Sequence, residues 1–120
     1  MINYRTFIQL YNEALEYNDF EYYMSERAWQ EWMNIYKDKP DKIVEILKTT
    51  YSYAKKTIEE IRETLDYSRA KFSRVYNIPI RTLENWDAKQ NLTEYTETLI
   101  KYTLFLEELS NNEEDIEEQD

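Results

Sequence analysis

The stretch Phe72–Trp86, "FSRVYNIPIRTLENW", decides the fold, because it reads as two short helices joined by a tight turn. Ser68, four residues upstream, is placed to cap the first helix with its hydroxyl. Phe72 points inward, together with Val75 or Tyr76. Asn77 stands where the chain needs a positive φ, which Asn tolerates better than other non-glycine residues. Ile78 turns back to the core, and Pro79 opens the second helix with φ already set. Leu83 and Trp86, three apart, anchor that helix, which leaves Ile80, Arg81, Glu84 and Asn85 outward at its N-terminal end. The spacing predicts helices over Ser68–Tyr76 and Pro79–Ala88.

The rest of the chain agrees with this reading. Glycine is absent from all 120 residues, where average usage would supply about eight. Glycine-rich phosphate loops and glycine hairpin turns are thereby excluded, and a chain without left-handed glycine is most easily built from helices. The expected fold class is all-α. Cysteine and histidine are also absent, which removes disulfides, thiolate nucleophiles, imidazole bases and most zinc sites. The remaining carboxylate pairs, such as Glu107–Glu108 and Glu113–Glu114, have no partner base or nucleophile, so neither an enzyme nor a metal or other cofactor is expected. The chain opens Met-Ile-Asn-Tyr, with no basic and apolar leader pattern and no run of membrane-spanning length. A cytoplasmic protein is expected.

Apolar spacing places Phe7, Leu10, Tyr11, Ala14 and Leu15 on one face of a helix over Tyr4–Tyr17. After Asn18-Asp19, a second helix is expected from Phe20 through Tyr36, with an aromatic stripe of Tyr23, Trp29, Trp32 and Tyr36. Those rings and Tyr22 read as core packing rather than as a stacking platform for single strands. "KDKPDK" breaks the chain, with Asp38 as a cap and Pro40 in the first turn of the next helix. Ile43, Leu47, Tyr51, Ala54, Ile58, Ile61 and Leu65 then recur in steps of three and four, predicting one long helix or two nearly collinear ones. Their seam suits either a dimer interface or the chain's own core. A last helix is expected from about Leu92 to Leu109, with Asn91 and Glu94 in capping-box spacing. The tail "NNEEDIEEQD" is acidic and of low complexity, and disorder is expected there.

Net charge is −10, and its distribution matters more than its size. Residues 109–120 hold six carboxylates and no cation, whereas Ser68–Asn91 hold five cations against two carboxylates. Exposed charges farther apart than about 8 Å are largely screened at physiological salt, so the acidic tail does not veto an anionic partner for the basic stretch.

Residues Ser68, Phe72, Tyr76, Ile78, Pro79, Arg81, Thr82, Leu83 and Trp86 together resemble the lambda-repressor-like (Xre-type) helix-turn-helix family of phage and bacterial DNA-binding regulators. The likeness covers about residues 58–108, since "EYTETLIKYTLFLEE" is similar to the family's closing helix. The resemblance implies a helix-turn-helix domain over 58–109, preceded by an N-terminal helical packing or dimerisation arm over 1–57 and followed by the tail, 110–120. It implies a sequence-specific, double-stranded DNA-binding homodimer, a transcriptional regulator from a phage or mobile element. Ile80, Arg81 and Asn85 would face bases, while Arg69, Lys71, Thr82 and Lys89 would lie along the DNA backbone. Arg81 has the chemistry to bind guanine O6 and N7 in a bidentate way, provided that Glu84 or Asn85 does not hold its guanidinium. After Trp86 the chain departs from the family pattern, reading "DAKQNLTEY" where Gly, basic residues and Pro are usual.

Two other classes fit the same residues. One is a small acidic phage-type inhibitor, of the anti-CRISPR or anti-restriction kind, which binds a DNA- or RNA-binding defence enzyme and can also repress its own operon. Its motivation is the pI of about 4.6 and the altered loop after Trp86. The other is a helical adaptor with no nucleic-acid role.

Overall fold

The computed structural model describes residues 1–89 and 92–119, with side chains over 1–88 and 92–113. It is all-helical, with no strand among the described residues. Among the described residues seven α-helices run in order: α1 (Tyr4–Leu15), α2 (Phe20–Ser25), α3 (Pro40–Ala54), α4 (Ile58–Thr64), α5 (Arg69–Tyr76), α6 (Ile80–Lys89) and α7 (Glu94–Gln119). A 3-10 segment, Glu31–Tyr36, lies between α2 and α3.

Side-chain caps mark most of the helix starts. Asn3 accepts the Thr6 N–H at 2.9 Å and Asp19 accepts that of Glu21 at 3.0 Å. Thr57 and Glu60 form a reciprocal capping box, and Ser68 accepts the Lys71 N–H at 3.1 Å. Pro40 occupies the first turn of α3, but Lys39 rather than Asp38 stands at its cap and makes no side-chain bond there. At α7 the cap is Thr93, which accepts the Thr96 N–H at 3.2 Å. The expected cap Asn91 lies outside the described residues.

Two helix ends need left-handed backbone, and without glycine the chain uses Asp66 (φ 60°) and Asn77 (φ 55°). Each lets the following N–H turn back onto the helix: Tyr67 N–H donates to the Arg62 carbonyl at 2.7 Å and Ile78 N–H to that of Ser73 at 3.1 Å.

One core runs from Ile2 to Leu109. Helix α1 lies along α3, and α7 packs against α1, α3 and α4. Phe7, Leu10 and Ala14 on α1, Ile46 and Leu47 on α3, and Leu104 and Phe105 on α7 are fully or almost fully buried. Lys101 sits among them at 2% exposed, its ammonium donating to the Tyr11 hydroxyl (2.9 Å) and pairing with Glu97 (3.2 Å). Buried charge of this kind persists only when its donors are satisfied.

Two further sequence expectations are corrected, and one open alternative is resolved. The helix expected from Phe20 to Tyr36 ends at Ser25, where the Arg27 Nε donates to the Tyr23 carbonyl (2.9 Å), and resumes only as the 3-10 segment. Tyr23 is consequently buried while Tyr22 and Trp29 are exposed. Of the two forms expected for the seam from Ile43 to Leu65, one long helix or two, the chain takes two, because the Thr57–Glu60 box starts a new helix after Ala54. The seam residues pack within the chain: Leu47, Ile58 and Ile61 are buried, while Ile43, Tyr51, Ala54 and Leu65 lie against the core. Finally, 110–120 is not a disordered tail along its described length, since α7 continues to Gln119. Leu109 is buried, Asn112 donates to Glu45 (3.0 Å) and Glu113 pairs with Lys42 (2.7 Å). These contacts carry the helix past Leu109, and no Gly or Pro follows to stop it.

Candidate nucleic-acid interface at α5 and α6

Helices α5 and α6 pack on each other across the turn Asn77–Pro79. Phe72 and Leu83 are buried at their contact, with Tyr76, Ile78 and Trp86 partly buried around them. Of the two inward candidates in α5, Tyr76 faces the core and Val75 is exposed. The Ser73 hydroxyl donates to the Ile78 carbonyl at 2.5 Å, bracing the turn from inside.

Glu107 of α7 fastens this pair to the rest of the fold by accepting from the hydroxyls of both Tyr67 and Tyr76. Both phenols are pushed above the ordinary tyrosine range, by burial first and then by the Glu107 carboxylate. The rings of Tyr67, Phe72 and Tyr76 meet at centroid separations of 5.0–6.0 Å.

The N-terminal end of α6 is open. Ile80, Arg81, Glu84 and Asn85 are all exposed. Among the described residues Arg81 makes no ion pair, and neither Glu84 nor Asn85 holds its guanidinium. Arg74 is also exposed and unpaired among the described residues. Thr82 is half-buried. Lys71 is exposed, its ammonium 5.1 Å from the Tyr67 ring centroid. Lys89 closes α6, and its side chain lies outside the described residues.

Unlike Arg81 and Arg74, Arg69 has a carboxylate partner among the described residues. Its Nε donates to Asp87 Oδ2 at 2.8 Å, and the same oxygen accepts from Arg62 at 2.6 Å. Arg62 is only 4% exposed and the Asp87 side chain 8%. The Arg62 guanidinium lies 5.8 Å from the Phe72 ring centroid, and its Nε has no partner. Removing one member of such a buried pair typically costs about 3–5 kcal/mol. The hydrogen bond to Asp87 is the main reason the Arg69 guanidinium holds its proton even more firmly than usual. Beside Asp87, a cavity of about 120 Å³ is lined by Thr57, Ile58, Trp86, Leu92 and Glu97.

Reasoning from the sequence brought Ile80, Arg81 and Asn85 onto one open face, but missed Arg62, Asp87 and Glu107. The signal for Arg62 was present, because it follows Ile61 and stands four residues after Ile58 on the buried side of α4. A cation at that position needs a carboxylate. Which carboxylate answers it, 25 residues away, is set only by the fold.

Among the described residues no group of His, Cys, Asp or Glu is placed to hold a metal ion, and no helix is long and apolar enough to cross a membrane. The chain matches no protein-family model, no curated protein and no solved structure.

Proposed function

We propose that this protein is a sequence-specific DNA-binding protein of the helix-turn-helix kind, with α6 as the helix that enters the major groove. The observation that carries this reading is the unclaimed face at the start of α6, where Ile80, Arg81 and Asn85 stand exposed on a helix anchored by Leu83 and Trp86. An unpaired Arg and an Asn there have the donor and acceptor geometry for guanine and adenine edges. Lys71 and Arg74 supply neighbouring exposed cations for phosphates. A helix-turn-helix reader ordinarily works as a dimer on two half-sites, and a second copy is part of the proposal.

The test is selection of bound duplexes from a random pool, followed by fluorescence anisotropy on the enriched site. Arg81→Ala should weaken that site by about 10- to 100-fold and relax preference at one base pair, as expected for loss of a bidentate contact. An unchanged affinity and preference in Arg81→Ala would refute the assignment of α6.

A second reading, an acidic inhibitor that occupies the basic channel of a nucleic-acid-handling defence enzyme, is favoured by one specific observation. Asp87 claims Arg69, which subtracts a cation from the face meant for phosphates. Failure of any duplex to bind even at about 50 mM salt, where phosphate contacts are strongest, would favour this reading.

A further inference from the structure

Arg69 stands half-exposed at the first turn of α5, where a cation is well placed for a phosphate, yet a carboxylate already holds it. We propose that Asp87 is an affinity-setting residue that withholds Arg69 from the DNA backbone; the inference rests on the DNA-binding reading above.

Three features of the site carry it. First, Asp87 cannot leave. It is the carboxylate that neutralises Arg62, whose 4% exposure puts its charge out of reach of water, and the Arg62 Nε is already unpartnered. Second, the contact to Arg69 is made through Oδ2, the oxygen that also receives Arg62, so one anchored atom serves an inner and an outer cation. Third, the outer cation is 47% exposed at the surface. A phosphate approaching Arg69 would meet the Asp87 charge behind it, and like charges at that range disfavour each other. Arg62, Asp87 and Arg69 together carry one positive charge rather than two, and the Arg69 Nε–H is already engaged by Oδ2, so less counterion is released when DNA arrives than a free Arg69 would release. Binding then depends on the unpaired cations Lys71, Arg74 and Arg81 and on the base contacts of α6. A reader with fewer backbone contacts binds random DNA weakly and keeps more of its affinity for sequence.

The experiment measures binding of a fluorescent random-sequence duplex between about 50 and 200 mM salt, because non-specific affinity is almost entirely phosphate contact and falls by a slope of about 0.9 per contact. Asp87→Asn should free Arg69. Its log–log salt slope should steepen by about 0.9, so that the loss of affinity over this salt range grows by about threefold. Adding Arg69→Ala to Asp87→Asn should return the slope to the wild-type value. Arg69→Ala alone should leave the slope of the parent unchanged, and this arm carries the test if Asp87→Asn does not fold by circular dichroism. A parent slope that falls by about 0.9 in Arg69→Ala, or a slope in Asp87→Asn that is unchanged or shallower, overturns the role of Asp87 and leaves DNA binding intact. If neither the parent nor Asp87→Asn binds any duplex, DNA binding itself falls, and this role falls with it.

Discussion

Replacing Tyr53 by phenylalanine should make the protein less stable at neutral pH and more stable at alkaline pH. Tyr53 is 3% exposed and its hydroxyl donates to the Leu104 carbonyl at 3.3 Å. Burial pushes its phenol far above the ordinary value of 10.0, and the nearby Glu108 and Glu107 carboxylates push it further. The neutral-pH term is the lost hydrogen bond, and at this length the low end of the usual range applies, about 0.5–1 kcal/mol. The alkaline term has the opposite sign. A phenol whose folded pKa lies above its unfolded value is equally protonated in both states below pH about 10. Above that, the unfolded chain ionises and gains stability while the native side chain does not. At pH about 11 this costs the wild type about 1.4 kcal/mol through Tyr53 alone, and a phenylalanine there, having no proton to lose, is spared that cost. The two stability curves should therefore cross between pH about 10 and 11. Urea unfolding followed by far-UV circular dichroism, at pH about 8 and about 11, measures both terms for both proteins. Parallel curves, with the variant weaker by the same amount at each pH, would refute the claim that burial holds this phenol neutral.

Three further outcomes are expected. Asn77→Gly and Asp66→Gly should each raise the melting temperature, by up to about 1 kcal/mol of stability, since both positions are left-handed and carry a side-chain penalty that glycine avoids; a lower melting temperature in both would contradict the assigned turns. Asn77→Ala should instead destabilise, by about 1–2 kcal/mol in thermal unfolding, because Cβ crowds the carbonyl in that conformation. Deleting residues 111–120 should lower the far-UV helical signal and cost about 0.5–1 kcal/mol through the lost Asn112–Glu45 and Glu113–Lys42 contacts. An unchanged helical signal would mean that α7 stops near Leu109.

The unit formed by α5, the turn and α6 was legible in the residues because its causes are local. A Ser four positions before Phe72, an Asn before Ile-Pro, and Leu83 three before Trp86 state cap, turn and anchor within one short window. The absence of glycine and the periodic apolar spacing likewise determined an all-helical chain. Where several local solutions competed, the residues alone did not choose. Aromatic spacing alone favoured one helix through Tyr36, but Arg27 turns back onto the Tyr23 carbonyl and also pairs with Glu13 of α1. That contact exists only once α1 and α2 are side by side. The acidic end of α7 reads as too charged to order, and becomes a helix because Lys42 and Glu45 of α3 meet Glu113 and Asn112 across the fold.

The sequence by itself determined the helical class, through the lack of glycine and the apolar spacing along the chain, and also the left-handed stop at Asn77 and the face that α6 turns outward, both settled by residues within about one helical turn of one another. Tertiary structure alone decided which charges are free. Arg81 and Arg74 are left unpaired among the described residues, while Arg69 is claimed by an aspartate 18 positions away. The reason is physical: a charge pairs with whatever the packing brings within reach, and the buried Arg62 required that Asp87 be there.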